Sequence, residues 1–511
     1  MSQAVAQRKA SGRVLAVDVA AAANMVGTLL KYLGLAALFP TAVAIGYGEP
    51  LWPFLAAGAI TSGGGYALER LTPSFTGRVG AREGFLVVSA TWLLAAAFAA
   101  LPYFFGGSDE LGHPIDAYFE GMSGFTTTGA SVVTNPGDLS SSMALWRQFT
   151  QWIGGIGIVV LAIAVLPRLR VGGRQLLESE LPGPEIAQLS ERIRETARLL
   201  WVLYVGLTAI LILLLATVGW LGIDDRMTFY EAVAHAFTTM PTGGFSTQLD
   251  SAASFAPVSQ WILAVFMVIG GANYLLLYRA FVRRQPGKVL REEELRLYLA
   301  LVAIAAIALT VQLWSYGIAQ GEEAARDGFF QAATIITTTG MVSADYAVWP
   351  SVALLTLFAL MFVGGSAGST AGSIKVIRHL MIGKILRREL AQTVSPEVVT
   401  PIRLNRSPVD ERTLRAIAAF ILLYIGAWVV GSGIIAIDSA IVGADLGPLD
   451  AIGASASALG NVGPGFGITG PLGSYGPLGD VSKLTMIVLM FLGRLEIVPV
   501  AVLLTRHYWR L

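Results

Sequence analysis

The most informative part of the sequence is Tyr118-Phe-Glu-Gly-Met-Ser-Gly-Phe-Thr-Thr-Thr-Gly-Ala-Ser131, in which a Thr/Gly motif directly follows a short apolar run. Altered copies of the motif recur as Met240-Pro-Thr-Gly-Gly-Phe245, Thr337-Thr-Thr-Gly340 and Gly460-Asn-Val-Gly463. Each copy lies between a short helical run and an apolar run long enough to cross a bilayer. A short helix that enters a membrane and ends in Thr/Gly backbone directs its negative end and a set of carbonyls at one axis. Four such pieces predict a ring of oxygens around a bare cation.

The composition is that of a polytopic membrane protein. Of the 511 residues, 54% are hydrophobic and only 14% are charged, whereas soluble proteins carry roughly 25% charged residues. The net charge of +1 gives no reason to expect a nucleic-acid partner. The absence of cysteine excludes disulfides and thiol catalysis, and the four histidines lie too far apart in the sequence for a metal site.

Apolar runs of about 20 residues, the length that crosses the hydrocarbon core, predict ten spans. The four short helical runs that precede the motif copies are too short to cross the membrane and are called dipping helices here. They fall in the gaps after the third, fifth, seventh and ninth spans. The predicted fold is therefore an all-α polytopic membrane protein, with four outer helix–pore loop–inner helix repeats around one pore and an N-terminal transmembrane hairpin. The predicted spans are residues 22–46, 52–68, 84–104, 146–166, 197–221, 258–281, 295–314, 352–376, 414–437 and 484–504.

These spans divide the chain into six predicted segments. They are a cytoplasmic N-terminus (1–21), the N-terminal hairpin (22–83), repeat 1 (84–194), repeat 2 (195–294), repeat 3 with an intramembrane loop (295–411) and repeat 4 (412–511).

The distribution of charge predicts the orientation. With the N-terminus inside, most of the 35 Lys and Arg residues fall on cytoplasmic segments, as the positive-inside rule requires. Lys31 and Arg494 are left within spans. The outer segments are acidic before each dipping helix, which predicts a negative rim that attracts cations; solvated loop residues are the alternative. The acidic residues are Asp109, Glu110, Asp116, Asp224, Asp225, Glu231, Glu322, Glu323, Asp327, Asp438, Asp445 and Asp450.

With these motifs the chain resembles the Trk/Ktr/HKT superfamily of cation transporters, most closely the membrane-embedded potassium subunit of bacterial Trk systems. The resemblance rests on Phe125-Thr-Thr-Thr-Gly-Ala-Ser131, Thr242-Gly-Gly-Phe-Ser-Thr247, Gln151-Trp-Ile-Gly-Gly-Ile-Gly157, Val363-Gly-Gly-Ser-Ala-Gly-Ser-Thr-Ala-Gly-Ser-Ile-Lys-Val-Ile-Arg378 and Asn461-Val-Gly-Pro-Gly-Phe-Gly467. It runs over essentially the whole chain and includes the leading hairpin.

The resemblance implies a potassium selectivity filter with one glycine from each repeat. The glycine rather than serine at position 129 favours potassium over sodium, and the fourth loop departs from Thr-Thr-Thr-Gly. The implied filter residues are Thr127, Thr128, Gly129, Thr242, Gly243, Thr338, Thr339, Gly340, Asn461, Val462 and Gly463.

The small residues at 364–373 predict a break in the third inner helix, since each Gly costs a helix up to about 1 kcal/mol relative to Ala. By resemblance this break is an intramembrane gate that includes Gly364, Gly365, Gly368, Gly372 and Lys375; a packing face for a neighbouring helix is the alternative. Lys375, with Arg378 close by, either holds the gate closed by its charge or anchors a helix end.

Arg494 is a charge inside an apolar span, and such charges usually face a cavity or a partner. By resemblance it projects into the ion path beneath the filter. Snorkelling or an ion pair with Glu496 is the alternative.

The implied function is potassium uptake across the cell inner membrane, with K⁺ as the transported ion and no cofactor bound by this chain. The implied partners are a second copy in a homodimer, a cytosolic nucleotide-binding (TrkA-type) regulatory ring and membrane lipid. A sodium- or proton-coupled potassium symporter is the alternative, although it needs ionisable groups along the path. An enzyme is not expected, because the G-x-S-x-G match at 364–368 and the G-x-G-x-x-G match at 465–470 lack the strand context that those motifs require.

Overall fold

The structure, a computed structural model, describes residues 17–73, 80–106, 109–164, 186–397, 401–444 and 446–510. These ranges are helical except for loops and one two-stranded antiparallel ribbon, β1 (Arg403–Leu404) and β2 (Ser407–Pro408). The prediction of an all-α protein is therefore confirmed. Some residues used in the sequence predictions lie outside the described ranges. They are Arg8, Lys9, Arg13, Asp445 and residues 168–185 of the 168–198 loop.

The chain begins with a tight helical hairpin. Helix α1 (Val19–Leu33) continues through a 3₁₀ turn (Gly34–Ala37) into α2 (Leu38–Tyr47), and α3 (Trp52–Leu71) packs back against it. Glycines make the contact close: a Cβ on Gly27 would lie 2.8 Å from the carbonyl oxygen of Gly65, the small-residue packing that membrane helices use. Lys31 is paired with Glu69 at 2.6 Å across this hairpin.

The rest of the chain presents a long outer helix, a short helix, a loop and an inner helix four times. The first set is α4 (Ala81–Gly106), α5 (Pro114–Phe125) and α6 (Ser141–Ala164); the second is α7 (Ile186–Trp220), α8 (Phe229–Thr239), α9 (Pro257–Gly270) and α10 (Tyr274–Phe281). After α11 (Pro286–Val289), the third is α12 (Glu293–Ser315), α13 (Gly321–Ile336), α14 (Ser351–Leu360) and α15 (Val376–Val394). The fourth is α16 (Glu411–Val442), α17 (Pro448–Gly460), α18 (Asp480–Arg494), α19 (Val498–Leu503) and α20 (Arg506–Trp509). Short 3₁₀ turns occur at Asp109–Leu111, Pro136–Asp138, Ser251–Ser254, Tyr346–Val348 and Gly467–Thr469.

Long apolar helices make this a multi-pass membrane protein. By length and hydropathy, five uninterrupted helical stretches of the described residues can cross a bilayer, and α9 with α10 adds a sixth if the bent pair counts as one crossing. The N-terminal stretch and the outer helices account for all five. They are Val19–Tyr47, Arg82–Gly106, Ala197–Trp220, Glu293–Ser315 and Glu411–Val442.

Three of the four inner helices are interrupted. The break in the third set falls where the small residues at 364–373 predict it, whereas the breaks in the second and fourth sets correct the predicted continuous spans 258–281 and 484–504. The chain bends by 107° between α9 and α10. In the third set α14 ends at Leu360 and helix resumes only at Val376, and in the fourth α18 ends at Arg494 before α19 starts at Val498. The breaks in the second and third sets contain glycine, a poor helix former, and the break in the fourth set, at residues 495–497, lies between Gly493 and Pro499.

The four short helices α5, α8, α13 and α17 contain 12, 11, 16 and 13 residues. At 1.5 Å per residue they reach about 16–24 Å, less than the roughly 30 Å of the hydrocarbon core. Each carries an acidic residue in its first turn, and α5 and α17 also begin with proline. Both features favour a helix start at that end.

Candidate functional site

The short helices all end in the same backbone motif. In α5 the N–H of Thr127 bonds to the carbonyl of Gly124 at 3.0 Å, and the N–H of Thr128 bonds to that of Ser123 at 2.9 Å. This is the Schellman arrangement, in which the first residue beyond the helix adopts a left-handed conformation. The left-handed residues of the four loops are Thr127 (φ 52°), Thr242 (φ 57°), Thr338 (φ 55°) and Asn461 (φ 53°).

Three of these four residues are threonines, and a β-branched residue at positive φ is strained. Strain of about 1–3 kcal/mol per residue persists only where the surrounding structure imposes it, and it clusters at functional sites. Asn461 tolerates the conformation better than threonine does, which gives a physical reason for the departure of the fourth loop from Thr-Thr-Thr-Gly.

A second left-handed residue follows two positions later in every loop, and it is always glycine. These glycines are Gly129 (φ 82°), Gly244 (φ 85°), Gly340 (φ 79°) and Gly463 (φ 111°). In the second loop this position is held by Gly244, one residue after Gly243, which the sequence analysis expected there. Gly243 is equivalent to Thr128, Thr339 and Val462, because its N–H makes the same bond to the helix, here to the carbonyl of Thr238 at 2.8 Å.

The four loops close into a ring. A Cβ built on Gly463 would lie 2.8 Å from the carbonyl oxygen of Thr128. The other three glycines repeat this relation with closer approaches: Gly129 against the carbonyl of Gly243, Gly244 against that of Thr339, and Gly340 against that of Val462. Each ring glycine thus abuts the next loop, at the carbonyl of the residue just before that loop's own ring glycine. The contacts run in the cyclic order first, second, third, fourth, first. A side chain at any of the four positions would push two loops apart.

The ring opens on one side into a cavity of about 90 Å³. The four glycines of the ring line it, together with Arg147 and Tyr475. The Tyr475 hydroxyl donates to the carbonyl of Gly463 at 2.8 Å, so the fourth loop is held from this side as well.

Hydroxyl groups brace the first and third loops in the same way. The Thr126 and Thr128 hydroxyls lie 2.7 Å apart, and Thr126 also donates to the carbonyl of Met122 at 2.7 Å. Thr337 and Thr339 repeat this arrangement with the same 2.7 Å separation.

The second and fourth loops are braced by amide side chains instead. The Gln151 amide nitrogen donates to the carbonyl of Gly243 at 2.7 Å, and its oxygen accepts from Thr238 at 2.5 Å. The Asn461 amide donates to the Thr128 hydroxyl and to the carbonyl of Met490, both at 2.9 Å. Gln151 belongs to α6, so an inner helix of one set holds a loop of the next.

A buried ion pair between Arg147 of α6 and Glu120 of α5 joins the first two loops. Arg147 Nε lies 2.7 Å from Glu120 Oε1, with the two side chains 1% and 0% exposed. Arg147 also donates to the Ser131 hydroxyl at 3.0 Å and to the carbonyl of Ser246 at 3.2 Å, and its guanidinium lies 4.2 Å from the Phe245 ring centroid. A glutamate inside a short apolar helix was the available signal, since buried carboxylates are paired.

Several acidic residues of the expected negative rim are structural instead. Asp224 accepts from the Ser259 hydroxyl at 2.6 Å, and Asp438 accepts from the Ser482 hydroxyl at 2.6 Å. Glu231 lies 3.2 Å from His235, whose other ring nitrogen is 3.0 Å from the Ser246 hydroxyl. These contacts anchor loops and helix starts, so these three buried carboxylates are not part of a solvent-exposed acidic rim.

The 361–375 segment connects α14 to α15. It packs against the loops where they leave the C-terminal ends of the short helices. The N–H of Gly372 donates to the Thr338 hydroxyl at 2.6 Å, and the hydroxyls of Thr370 and Thr242 lie 3.2 Å apart. Gly372 also abuts the carbonyl of Gly460. The segment therefore contacts three of the four loops. It contacts the left-handed residue itself in the second and third loops and the residue next to it in the fourth.

The break between α9 and α10 holds the same segment from the side. The N–H of Ser366 bonds to the carbonyl of Gly271 at 2.9 Å, and the N–H of Tyr274 bonds to that of Gly368 at 3.2 Å. A Cβ on Gly365 would lie 2.6 Å from the carbonyl oxygen of Gly271. The two broken inner helices thus interlock through backbone contacts. Sequence reasoning missed the α9–α10 break, although Gly270-Gly-Ala-Asn273 was available as a signal.

Arg494 reaches the same place from α18. It is 2% exposed, and it donates to the carbonyl of Thr370 at 2.7 Å and to that of Gly154 at 3.4 Å. The alternative pairing with Glu496 is not what the structure has, because Glu496 is paired with Arg378. Lys375 is buried and donates to the carbonyl of Ala371, so it closes its own segment.

Comparison with known proteins gives a consistent picture. The family described as TrkH, cation transport protein, matches residues 67–509. The Trk system potassium uptake protein TrkH of Salmonella typhimurium is 35% identical over 437 residues, which are 85% of this chain and 87% of the relative. The protein of the same name from Halomonas elongata is 33% identical over 494 residues, 95% of this chain and 98% of the relative. The crystal structure of the potassium transporter TrkH from Vibrio parahaemolyticus aligns with a TM-score of 0.84 at 31% identity, covering 97% of this chain and 100% of that one.

Proposed function

Because this chain belongs to the TrkH family of cation transport proteins, we propose that it takes up potassium ions through the ring of four loops. The chain is a transporter and not an enzyme, since its family and its named relatives are transporters. The relatives are named potassium uptake proteins, and this is one support for potassium as the transported ion.

One observation supports the proposal above all others. Four short helices end in the same strained motif, and four left-handed glycines abut the next loop in cyclic order. Non-helical backbone at membrane depth is tolerated where protein buries it or where it lines a watery cavity. A closed ring of such backbone, with a cavity on one side of it, suits an ion path.

In the proposed mechanism, main-chain and threonine oxygens replace the hydration shell of a potassium ion. The four helix C-termini meet at the ring, and their negative dipole ends favour a cation there. The proposed filter residues are Thr127, Thr128, Gly129, Thr242, Gly243, Gly244, Thr338, Thr339, Gly340, Asn461, Val462 and Gly463. Gly244 joins the set because its conformation matches that of the other three ring glycines.

The 361–375 segment serves as the gate in this proposal, with Gly364, Gly365, Gly368, Gly372 and Lys375 in it. Its contacts with Thr242 and Thr338 suit a plug that closes one mouth of the ring. Arg494 would add a fixed positive charge beside the plug and so raise the barrier to cations.

The remaining expectations belong to the same proposal. The four units 84–194, 195–294, 295–411 and 412–511 are repeats around one pore, preceded by the hairpin 22–83. The N-terminus (1–21) faces the cytoplasm, and the chain lies in the cell inner membrane as a homodimer. A cytosolic nucleotide-binding regulatory ring opens the gate by contacting the cytoplasmic loops.

The test of the filter is growth of a potassium-uptake-deficient bacterium on low potassium. Wild type and Gly206→Ser should rescue growth equally, because a Cβ at Gly206 meets nothing within 4 Å. Gly129→Ser should fail, because its side chain would meet the carbonyl of Gly243. Equal rescue by Gly129→Ser at equal expression would refute the filter assignment.

The test of the gate and of coupling is rubidium flux into vesicles. Arg494→Ala should raise the flux per molecule, and an unchanged or lower flux would count against the role of Arg494. Flux that persists without sodium or proton gradients is the expected result for a pore. Flux that requires either gradient would replace the pore by a coupled symporter.

A further inference from the structure

A second cavity lies where α12 begins, and it shares no lining residue with the cavity at the ring. It has a volume of about 1000 Å³ and lies between the first turns of α12, helix α15 and the tip of the β1–β2 ribbon. Four basic residues line it: Lys288, Arg291, Arg296 and Arg406. In the orientation proposed above, this cavity is at the cytoplasmic surface of the membrane.

The positive charge in this cavity is not neutralised by its own acidic residues. Glu293 is already paired with Lys384, and Glu292 accepts from the Asn405 amide and lies 4.0 Å from Arg279. Among the described residues, no ion pair joins any of the four basic residues that line the cavity. Four cationic groups therefore face a space into which an anion fits.

The ribbon tip is rigidly placed. Asn405 (φ 47°) and Arg406 (φ 73°) are both left-handed, as a two-residue type I′ hairpin turn requires. Two backbone–side-chain bonds dock the tip on α12: the N–H of Glu293 donates to Asn405 Oδ1 at 3.1 Å, and the N–H of Asn405 donates to Glu293 Oε1 at 3.0 Å. The backbone of Arg406 is therefore fixed at the edge of the cavity that Arg291 and Arg296 also line.

The cavity continues into an apolar stripe along α12. Leu297 and Ala300 line the cavity, and Ile304, Ile307 and Val311 follow at helical spacing, 65%, 64% and 58% exposed. A basic site that opens onto an exposed apolar helix face matches a molecule with an anionic head and hydrocarbon chains. A soluble anion would make no use of the stripe.

We propose that this cavity binds the phosphate headgroup of an anionic phospholipid of the cytoplasmic leaflet, with an acyl chain along the α12 stripe. Its placement in that leaflet rests on the orientation proposed above. A hydrogen bond connects the element that carries this site to the 361–375 segment, because Glu294 in the first turn of α12 accepts from the N–H of Ala367 at 2.6 Å. Leu380 of α15, the helix that follows the segment, lines the cavity too. A bound lipid therefore steadies the α12–α15 pair that anchors the segment, so that flux depends on anionic lipid.

The binding test needs no ion transport. Purified full-length protein would be titrated with phosphatidylglycerol or phosphatidylcholine, and bound lipid would be counted by native mass spectrometry. Wild type should retain phosphatidylglycerol in preference to phosphatidylcholine. Arg291→Gln/Arg296→Gln/Arg406→Gln should bind phosphatidylglycerol roughly tenfold more weakly or worse. Arg415→Gln, an exposed position on α16 outside the cavity, should bind like wild type, and an equal thermal-unfolding midpoint establishes that the triple variant is folded.

Three results would overturn the proposal. The first is equal retention of phosphatidylglycerol by wild type and the folded triple variant. The second is displacement of the lipid by millimolar inorganic phosphate, which would assign the site to a soluble phosphate. The third is a triple variant that binds lipid normally but no longer binds a cytosolic protein partner, which would make the cavity a protein-docking surface.

Flux then tests the consequence. Rubidium uptake by wild type in phosphatidylcholine vesicles should change when phosphatidylglycerol is added, and the triple variant should not respond. Lipid binding without any rubidium flux in any vesicle would refute the proposed transport and leave the site intact. Flux that ignores phosphatidylglycerol in wild type would refute the link between the site and the segment.

Discussion

At the scale of single residues, Gly243 and Gly244 are neighbours that need to be glycine for different reasons. Gly244 has φ 85°, and a Cβ there would meet the carbonyl of Thr339. Gly243 lacks a positive φ, but the Gln151 side chain occupies the place of its Cβ, with Cδ at 2.5 Å. The first glycine makes room for a side chain, and the second permits a backbone conformation.

This difference predicts how the two positions respond to a change at Gln151. In the Gln151→Ala background, adding Gly243→Ala should cost little further rubidium uptake, because the clash is gone. Adding Gly244→Ala should abolish uptake in either background, because the new Cβ would clash with the backbone carbonyl of Thr339 in the next loop, which Gln151→Ala leaves in place. Uptake per expressed molecule is the measurement, with Gln151→Ala alone as the reference. Equal losses for both glycines in that background would contradict the assignment.

Arg147 and Glu120 set the relation of the first two loops. Removing one partner of a buried ion pair costs about 3–5 kcal/mol, because the other charge stays buried. Arg147→Gln should therefore lower the thermal-unfolding midpoint in detergent strongly, whereas Arg226→Gln, which alters an exposed arginine, should change it little. Arg147→Met combined with Glu120→Gln should be less destabilised than Arg147→Gln. A double variant that is worse than the single one would show that the pair is not what stabilises the loops.

At the scale of elements, the N-terminal hairpin holds the start of the first inner helix. Glu49, in the turn between α2 and α3, accepts from the N–H groups of Ser141 and Ser142 at 2.7 and 2.8 Å. Partial burial by itself would raise the pKa of Glu49, but the hydrogen bonds from Ser142 and Ser141 hold it below its ordinary value of 4.5. A carboxylate at a helix N-terminus also complements the helix dipole.

The sign of this shift predicts a pH dependence. A carboxyl group whose folded pKa is depressed stabilises the fold fully above its unfolded pKa, and the stabilisation is lost as pH falls through the folded value. Glu49→Gln should therefore lower the unfolding midpoint at neutral pH, and the gap to wild type should narrow below about pH 4. Thermal unfolding of both proteins across this range is the measurement. A gap that stays constant with pH would exclude the ionised carboxylate as its cause.

At the scale of the whole molecule, the breaks in the inner helices are tied to one another. Arg378, at the start of α15, is paired with Glu496 in the break between α18 and α19. Its guanidinium lies 3.7 Å from the ring centroid of Phe420 on α16. This contact connects the third and fourth sets beside the 361–375 segment.

Removing the link should loosen the proposed gate. Glu496→Gln should raise rubidium flux severalfold in the absence of any cytosolic partner, because the segment loses a charge-assisted anchor. Glu389→Gln, which alters an exposed glutamate on α15, serves as the matched control and should leave flux unchanged. Normal flux through well-expressed Glu496→Gln would show that the pair contributes nothing to closure.

How much could be predicted from the sequence depends on how local each feature is. The membrane class, the outer helices, the four glycine-containing loops and the break at 364–373 follow from hydropathy and helix propensity, which are properties of consecutive residues. The α9–α10 break was missed because Gly270 and Gly271 lie inside an apolar run that reads as one span. Here the contact between Gly271 and Ser366, 95 positions apart, helps to hold the bend.

Composition and local pattern were enough to predict an all-α membrane protein with four short loops that each contain glycine, because both are properties of consecutive residues. Tertiary contacts were needed to show that the left-handed glycine of the second loop is Gly244 and not Gly243, that Arg147 is buried against Glu120, and that Asp438 accepts hydrogen bonds from Ser482 at the start of α18. The physical reason is the same in each case. A backbone register or a charge partner is set by the atoms that pack against a residue, and those atoms come from distant parts of the chain.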